Sequence, residues 1–559
     1  MAHYFEPQLK RPASFNFAID VVDYWAANPP KGNTAMHWVS QDRKTERTLS
    51  FGHFSRQSHR LAVLFKEKLG VRKGNKMLII MPRLPEWWEI ATACIRSGIV
   101  ICPATTLLVD KDIEYRVNRS GASVFLGDAV SVQKILRVKQ SCPSLKHIFQ
   151  VDGKCPVGVV LLSEALKAVP ENARYEGPKP ALKDPSMVYF TSGTTGPPKM
   201  VLHNQISYPL AHTITGKHFH RLSPGQLSWV LTEQGWAKAA WAFLGAWNCG
   251  AGLFIHDDRQ AFSARSTLDI LHRYPITSFC APPTVYRQLV LDEMREHYSN
   301  HPAKSLQHCT GAGEPLNPEV IRLWLEMSGL EICDGFGQSE TILLCGNFAG
   351  MKIRPGSMGK PSPGTPLHVI GDDGNEMADD AEGDIAVKVD LTKQSNFFGV
   401  FEGYLEDGKL DRKLRECRES GYAWYCTGDR ATRDSDGYFW FVGRSDDVIN
   451  SAGYRIGPFE VESTLKQHPA VVESAVVSSP DKSRGEVVKA FVVLTEQAQK
   501  KDQGQLLKEL QDFCKENLTY KYPRKIQFVD AHFLPKTISG KIQRKKLKQM
   551  EWGGEKSKL

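Results

Sequence analysis

What this 559-residue chain lacks narrows the field before any motif is read. No uninterrupted apolar run approaches the roughly eighteen residues that a membrane span requires, so no membrane span is expected. Residues Met1 to Phe17 hold no apolar core suited to a signal peptide. The 12 cysteines are scattered from Cys94 to Cys514 with no CxxC pair and no regular spacing. Neither a disulfide framework nor a zinc site is indicated, and buried thiols in a reducing compartment are expected. Internal repeats and low-complexity stretches are also missing. The net charge of +9 could attract an anionic partner such as nucleic acid. Much of it is local, in Lys541, Arg544, Lys545, Lys546 and Lys548, with Lys556 and Lys558 beyond. A solvated basic tail accounts for such a run. No nucleic-acid-binding module accompanies it, and no nucleic-acid partner is expected.

What is present is a chain too long for one core, with the ordinary composition of a globular enzyme. From Met77 onward, short apolar runs alternate with helix-length segments. Met77–Ile80 reads as a strand, Glu86–Ser97 as a helix, Ile99–Ile101 as a strand, Asp110–Ser120 as a helix and Val124–Leu126 as a strand. Such alternation points to βαβ units around a largely parallel sheet. It resumes between Trp241 and Gly335, with strands expected at Ser278–Cys280 and Leu330–Cys333. From Gly356 to Val442 glycine-rich β runs with Asp373-Gly374 and Asp436-Gly437 turns suggest hairpins. A new unit then begins near Asp446, with helices at Pro458–Gln467 and Gln505–Asn517. Its expected strands are Val471–Val477, Val487–Val493 and Ile526–Val529. The expectation is an α/β protein: a large N-terminal domain, 1–445, of mostly parallel βα sheets with a β-rich subdomain, and a small α+β domain, 446–550. Residues after Glu551 are expected to form an unstructured tail, 551–559.

The most informative segment runs from Thr191 to Lys199 (TSGTTGPPK), between the β-type runs Met187–Phe190 and Met200–Leu202. Gly193 and Gly196 let backbone N–H groups approach an anion. Thr191, Ser192, Thr194 and Thr195 offer hydroxyls, and Lys199 adds charge. That is a polyphosphate cradle, though not of the Gly-Lys-Ser/Thr kind that opens a helix. Downstream stand Gly311-Ala312-Gly313-Glu314-Pro315 and Asp334-Gly335-Phe336-Gly337-Gln338-Ser339-Glu340-Thr341. The latter ends a strand, where open α/β sheets place ligands. Then come Trp424–Asp429, Arg444-Ser445-Asp446, Ser451–Gly457 and Pro535–Arg544 (PKTISGKIQR).

In this order, covering nearly all of residues 187–544, the motifs resemble those of the adenylate-forming superfamily of acyl-CoA synthetases, luciferases and peptide-synthetase adenylation domains. The resemblance implies that ATP/AMP is bound by Thr191–Gly196, Lys199, Gly313–Pro315, Asp334, Gly335, Phe336, Gly337, Gln338, Ser339, Asp429, Arg444 and Arg455. Phe336 would stack on adenine, Ser339 bond the α-phosphate, and Asp429 and Arg444 take the ribose. Glu340 would help hold Mg²⁺, which favours carboxylate and phosphate oxygens. Lys541 is implied as the adenylation catalyst and Asp446 as the hinge between the domains. The segments Gly453–Ser463, Arg484–Leu494 and Tyr520–Ile526 are most similar to medium-chain acyl-CoA synthetases. They imply CoA contacts at Ala452, Gly453, Tyr454, Arg484, Tyr522 and Arg524.

Acetate-specific relatives plug the acyl pocket with tryptophan at the position of Gly337, so glycine implies a deeper pocket, with Trp236 lining it. Leu107 stands where close relatives carry a glutamine near the nucleotide. The implied activity is an ATP-dependent acid–CoA ligase acting through an acyl-adenylate, on medium-chain fatty acids. Aromatic acids of the benzoate or phenylacetate type, or another acyl acceptor, remain open. Finally, Ser557-Lys558-Leu559 matches a receptor-read peroxisomal address. The expectation is import into the peroxisomal matrix through its import receptor.

Overall fold

The computed structural model describes residues 9–191, 197–314, 316–348, 350–451, 454–481, 484–537 and 541–556. Contacts divide the chain into two compact units. The first comprises Met1–Thr191, Pro198–Pro366 and Val389–Lys413, and the second includes Leu367–Lys388 and Leu414–Leu559. The line expected at Asp446 falls inside the second unit.

The first unit is built on two mostly parallel sheets, each nine-stranded among the described residues. In one, Lys76–Ile80 lies between Val100–Ala104 and Val124–Gly127, all parallel. Met77, Leu78, Ile79 and Ile80 are fully buried, as a strand covered on both faces must be. The helices between these strands are Pro85–Ser97 and Asp110–Ser120, close to expectation. This sheet continues through Pro185–Thr191 to the antiparallel strands Lys199–Asn204, Gly403–Glu406 and Lys409–Asp411.

In the other sheet, Ser278–Ala281, His308–Ala312 and Ile332–Gly337 run parallel, over a core that includes Trp229, Phe279, Tyr286 and Trp324. The last of these strands begins two residues later than expected and extends four further, through Gly335 and Gly337. Pairing on both sides, with His308–Ala312 and with Leu343–Gly346, overrides the poor strand propensity of glycine.

The second unit holds two antiparallel-rich sheets. The expected hairpins form around Tyr422–Arg433, flanked by Gly383–Asp390, Leu414–Glu416 and Phe439–Arg444. The Asp373-Gly374 and Asp436-Gly437 turns place their glycines at φ 78° and 84°, a region that disfavours other residues. The other sheet pairs Val471–Asp481 with Gly485–Leu494, and the latter with Lys525–Phe528 in parallel. Helices Pro458–Leu465 and Gln503–Leu518 supply Val461, Leu465, Leu506 and Leu510 to one core cluster.

The tail departs from expectation. Arg544–Lys556 is one helix, and residues 551–556 belong to it. Leu547 is fully buried against Val477, Phe491 and Leu534. One turn on, Glu551 accepts bonds from Lys489 Nζ (2.6 Å) and Ser479 Oγ (2.7 Å), and the Trp552 indole donates to the Ser478 carbonyl at 3.1 Å. Positions four apart share a helix face, and here that face is claimed by the sheet. Lys545, Lys546 and Lys548, around Leu547, hide the pattern in the sequence. Ser557–Leu559 lie outside the described residues.

Among the described residues no helix is long and apolar enough to cross a membrane, and no group of three or more His, Cys, Asp or Glu could hold a metal. All 12 cysteines are free. Burial pushes the thiols of Cys102, Cys309 and Cys514 up to about 12.

Candidate active site

The strands Pro185–Thr191 and Lys199–Asn204 pair antiparallel with Thr191 opposite Lys199, so the two ends of the Thr191–Lys199 segment stand side by side. Ser192, Gly193, Thr194, Thr195 and Gly196 lie outside the described residues. The Lys199 ammonium sits over the ring of Tyr404, 4.9 Å from its centroid.

The strand Ile332–Gly337 delivers four expected residues to its C-terminal end. Asp334 and Gly335 are buried, and Phe336 and Gly337 are half-buried. Burial pushes the Asp334 carboxyl up to about 7, against the backbone N–H groups of Gly335 and Leu316 and the Lys238 ammonium, which favour its charge. Lys238 donates to the Ala312 carbonyl, next to Gly313, whose φ of 107° suits glycine. Glu314 is half-buried, and Pro315 lies outside the described residues.

Past the strand, Gln338 N–H bonds the Thr341 hydroxyl at 3.1 Å. The Ser339 carbonyl accepts from His203 Nε2 (2.8 Å) and from the Tyr208 hydroxyl. Because a carbonyl can only accept, His203 carries its proton on Nε2. Its Nδ1 faces the Ser207 hydroxyl at 3.0 Å, and burial lowers its pKa to about 3. The ring of Tyr208 stacks on it at 3.5 Å. Sequence reasoning missed this pair. The signal available was a histidine directly after the apolar run Met200–Leu202, four residues before the hydroxyl that it meets. Glu340 accepts from the Tyr404 hydroxyl at 2.7 Å, and Tyr404 was missed as well.

The expected acyl-pocket residues are placed differently from one another. A Cβ on Gly337 would lie 2.5 Å from both the Ile342 carbonyl and the ring of Trp241. The indole that meets Gly337 is thus Trp241, from the helix Ala237–Asn248. Trp236 is the half-buried residue just before that helix. Leu107 is exposed.

In the second unit Asp429 and Arg444, fifteen residues apart in sequence, face each other across Tyr422–Arg433 and Phe439–Arg444. Arg444 Nη1 lies 3.3 Å from Asp429 Oδ1 and Arg444 Nε lies 3.7 Å from Asp446. Burial works against the Arg444 charge, but these carboxylates outweigh it and raise its pKa. Asp429 is buried, and its N–H bonds the Thr427 hydroxyl at 3.1 Å.

Tyr454–Ile456 pairs antiparallel with Ile449–Ser451, which places Tyr454 and Arg455 on a hairpin strand; Ala452 and Gly453 lie outside the described residues. Arg484 N–H bonds Asp481 at 3.0 Å. Arg524 donates to the Tyr522 hydroxyl at 2.8 Å and covers its ring at 4.8 Å.

Lys541 is exposed. Its N–H bonds the Thr537 hydroxyl at 3.1 Å and its carbonyl accepts from Thr537 N–H at 2.8 Å. Three residues on, Arg544 makes two bonds to the buried Glu462, at 2.6 and 3.0 Å, and lies 3.8 Å from Asp447.

Comparison with known proteins adds the context. Residues 22–405 match the AMP-binding enzyme family and residues 460–541 its C-terminal domain. Human "Acyl-coenzyme A synthetase ACSM5, mitochondrial" is 41% identical over 97% of this chain and 91% of its own. Mouse "Acyl-coenzyme A synthetase ACSM3, mitochondrial" is 42% identical over 98% and 92%. An anthranilate CoA ligase solved with anthranoyl-AMP superposes with a TM-score of 0.83, at 28% identity over 97% of this chain and 98% of its own. The relatives' names overturn the expected peroxisomal location and import receptor. A three-residue address is read apart from the fold, whereas kinship here spans the whole chain. The chain therefore belongs to the AMP-binding enzyme family, and acyl-coenzyme A synthetases are its full-length relatives.

Proposed function

We propose that the protein ligates a carboxylic acid to coenzyme A, forming acyl-CoA, AMP and pyrophosphate through an acyl-adenylate, with medium-chain fatty acids as substrates. The observation that carries this reading is full-length kinship with acyl-coenzyme A synthetases. The supporting chemistry is electrostatic. A carboxylate and the α-phosphate are both anions, so their union depends on neutralising and positioning charge. Lys199 and the Thr191–Gly196 loop are assigned to the β- and γ-phosphates, Ser339 to the α-phosphate and Lys541 to the acid and α-phosphate together. Phe336, with Gly313, Glu314, Pro315, Asp334, Gly335, Gly337 and Gln338, is assigned to the adenine side. Asp429, Arg444 and Arg455 are assigned to the ribose and nucleotide.

Mg²⁺ is taken to arrive with ATP. One half-buried carboxylate, Glu340, suits an ion that draws its other ligands from phosphates and water. Pyrophosphate loss leaves a mixed anhydride open to a thiol. Ala452, Gly453, Tyr454, Arg484, Tyr522 and Arg524 are assigned to CoA, the arginines matching its phosphates. Asp446 is assigned as the hinge of a domain, 446–550, that alternates between the two half-reactions. Trp241 and Gly337, with Trp236, are assigned to the acyl pocket. The enzyme is placed with its relatives in the mitochondrion.

The test is pyrophosphate release across straight-chain and aromatic acids, with and without CoA. Thioester formation strongest on medium-chain acids and absent without CoA supports the reading. Preference for anthranilate or benzoate would instead favour an aromatic-acid ligase, the reading suggested by the anthranilate ligase neighbour. Turnover independent of CoA would overturn both.

A further inference from the structure

Tyr404 touches two oppositely charged residues of the first unit at once. Its hydroxyl donates to Glu340 Oε1 at 2.7 Å, while its ring takes the Lys199 ammonium at 4.9 Å from the centroid. Both are recognised kinds of interaction: a charge-assisted hydrogen bond to a carboxylate, and a cation held against the π face. We propose that Tyr404 is a positioning residue that gives each charge an uncharged partner, holding the carboxylate and the ammonium for MgATP and against collapse onto each other. This rests on the reading of Glu340 as the Mg²⁺ carboxylate and Lys199 as a phosphate contact.

The backbone around Tyr404 is set for that task. Tyr404 pairs with Val201 and Gly403 with Leu202, on the strand that Lys199 opens. The same segment reaches the other sheet. Phe401 N–H bonds the Glu340 carbonyl at 2.8 Å, Ile342 N–H bonds the Gly399 carbonyl at 3.0 Å, and Val400 bridges Thr341. Residues 399–404 therefore clip Glu340 by backbone and side chain while lying alongside the Lys199 strand. Gly403 has φ 146°, and a Cβ there would lie 2.8 Å from the Asp411 carbonyl, so the strand approaches closely just before the tyrosine. The ring of Phe401 meets that of Tyr404 edge-on at 4.9 Å. An ion pair between Lys199 and Glu340 would fill the space needed by a phosphate and its metal. A tyrosine satisfies both groups without cancelling either.

Tyr404→Phe keeps the ring and removes the hydroxyl. The half-saturating free Mg²⁺ for acid-dependent pyrophosphate exchange should rise roughly tenfold, in keeping with one hydrogen bond to a charged group, and the loss should shrink as Mg²⁺ is raised. Mn²⁺ binding with a non-hydrolysable ATP analogue, read by electron paramagnetic resonance, should weaken by a similar factor. Tyr404→Leu should add a rise in the KM for ATP, because the seat of Lys199 is also lost. Glu340→Gln should shift the metal midpoint likewise, and Tyr404→Phe should add nothing in that background. A loss in Tyr404→Phe that is the same at every Mg²⁺ concentration, or an additive double variant, overturns the inference. An unshifted midpoint in Glu340→Gln instead overturns the Mg²⁺ role of Glu340 itself.

Discussion

The strand end at Asp334–Glu340 and the turn bearing Lys541 are assigned to one reaction but are built in different ways. At the first, the chain is fixed from several sides. Parallel pairing holds Asp334, and His203 with Tyr208 holds the Ser339 carbonyl. Trp241 and Ile342 crowd Gly337, and residues 399–404 clip Glu340. At the second, an exposed lysine is steadied by bonds to Thr537, with a buried ion pair three residues away. The difference matches the proposed roles. A binding surface gains from rigidity, because less ordering remains to be done on association. A lysine that enters for one half-reaction and withdraws for the other needs a compact anchor and an otherwise uncovered side chain.

That contrast can be broken at its anchor, where the largest effect is expected. Arg544→Ala leaves Glu462 buried without its cation, and breaking a buried pair this way typically costs about 3–5 kcal/mol. Urea unfolding followed in the second unit should show the loss, and Arg544→Lys should recover only part of it, since an ammonium cannot reproduce a two-bond fork. An unchanged midpoint would mean that the turn is held by Thr537 alone.

Next in size is Lys541→Ala. Removing one preorganised charge from the transition state should slow acyl-adenylate formation by about 10²–10³-fold, while thioester formation from synthetic acyl-adenylate survives. Equal losses in both halves, in a folded protein, would place Lys541 in general binding.

Gly337→Ala probes the crowded strand end. The new methyl must displace Trp241 or the Ile342 backbone, and overpacking of this kind costs about 1–3 kcal/mol. The ratio of catalytic efficiency on octanoate to that on acetate should fall. A constant ratio would separate Gly337 and Trp241 from the acyl pocket.

The smallest expected effect is a slope. Burial favours protonated Asp334, so its contribution to stability is fully present below its unfolded pKa near 3.8, declines as pH rises, and is lost above about 7. Asp334→Asn should flatten this part of the profile in urea midpoints taken between pH 4 and 8. A slope unchanged by the substitution would mean that the carboxylate is charged in the fold.

Much of this was legible beforehand. The apolar runs at Met77–Ile80 and Val487–Val493 and the helix at Asp110–Ser120 announce themselves by local pattern, because burial on one or both faces leaves a periodic trace. The order of the motifs was likewise enough to identify the family, and Thr191 facing Lys199 fits two β-type runs that stand close together in sequence. The helix at Arg544–Lys556 was not legible. Its inward residues, Leu547, Glu551 and Trp552, are set among lysines, and only the paired strands that carry Ser478, Ser479 and Lys489 explain why they fold inward.

The sequence by itself determined which residue types carry the chemistry and in what order, since hydroxyls, glycines, carboxylates and a lysine are chemical facts before they are placed. Tertiary structure alone decided which groups meet: Asp429 with Arg444, His203 with Ser339, Trp241 with Gly337, and Tyr404 between Lys199 and Glu340. Each pairing joins residues separated along the chain, set by strand register and sheet order. Those depend on the packing of the whole unit, and no local window of sequence contains it.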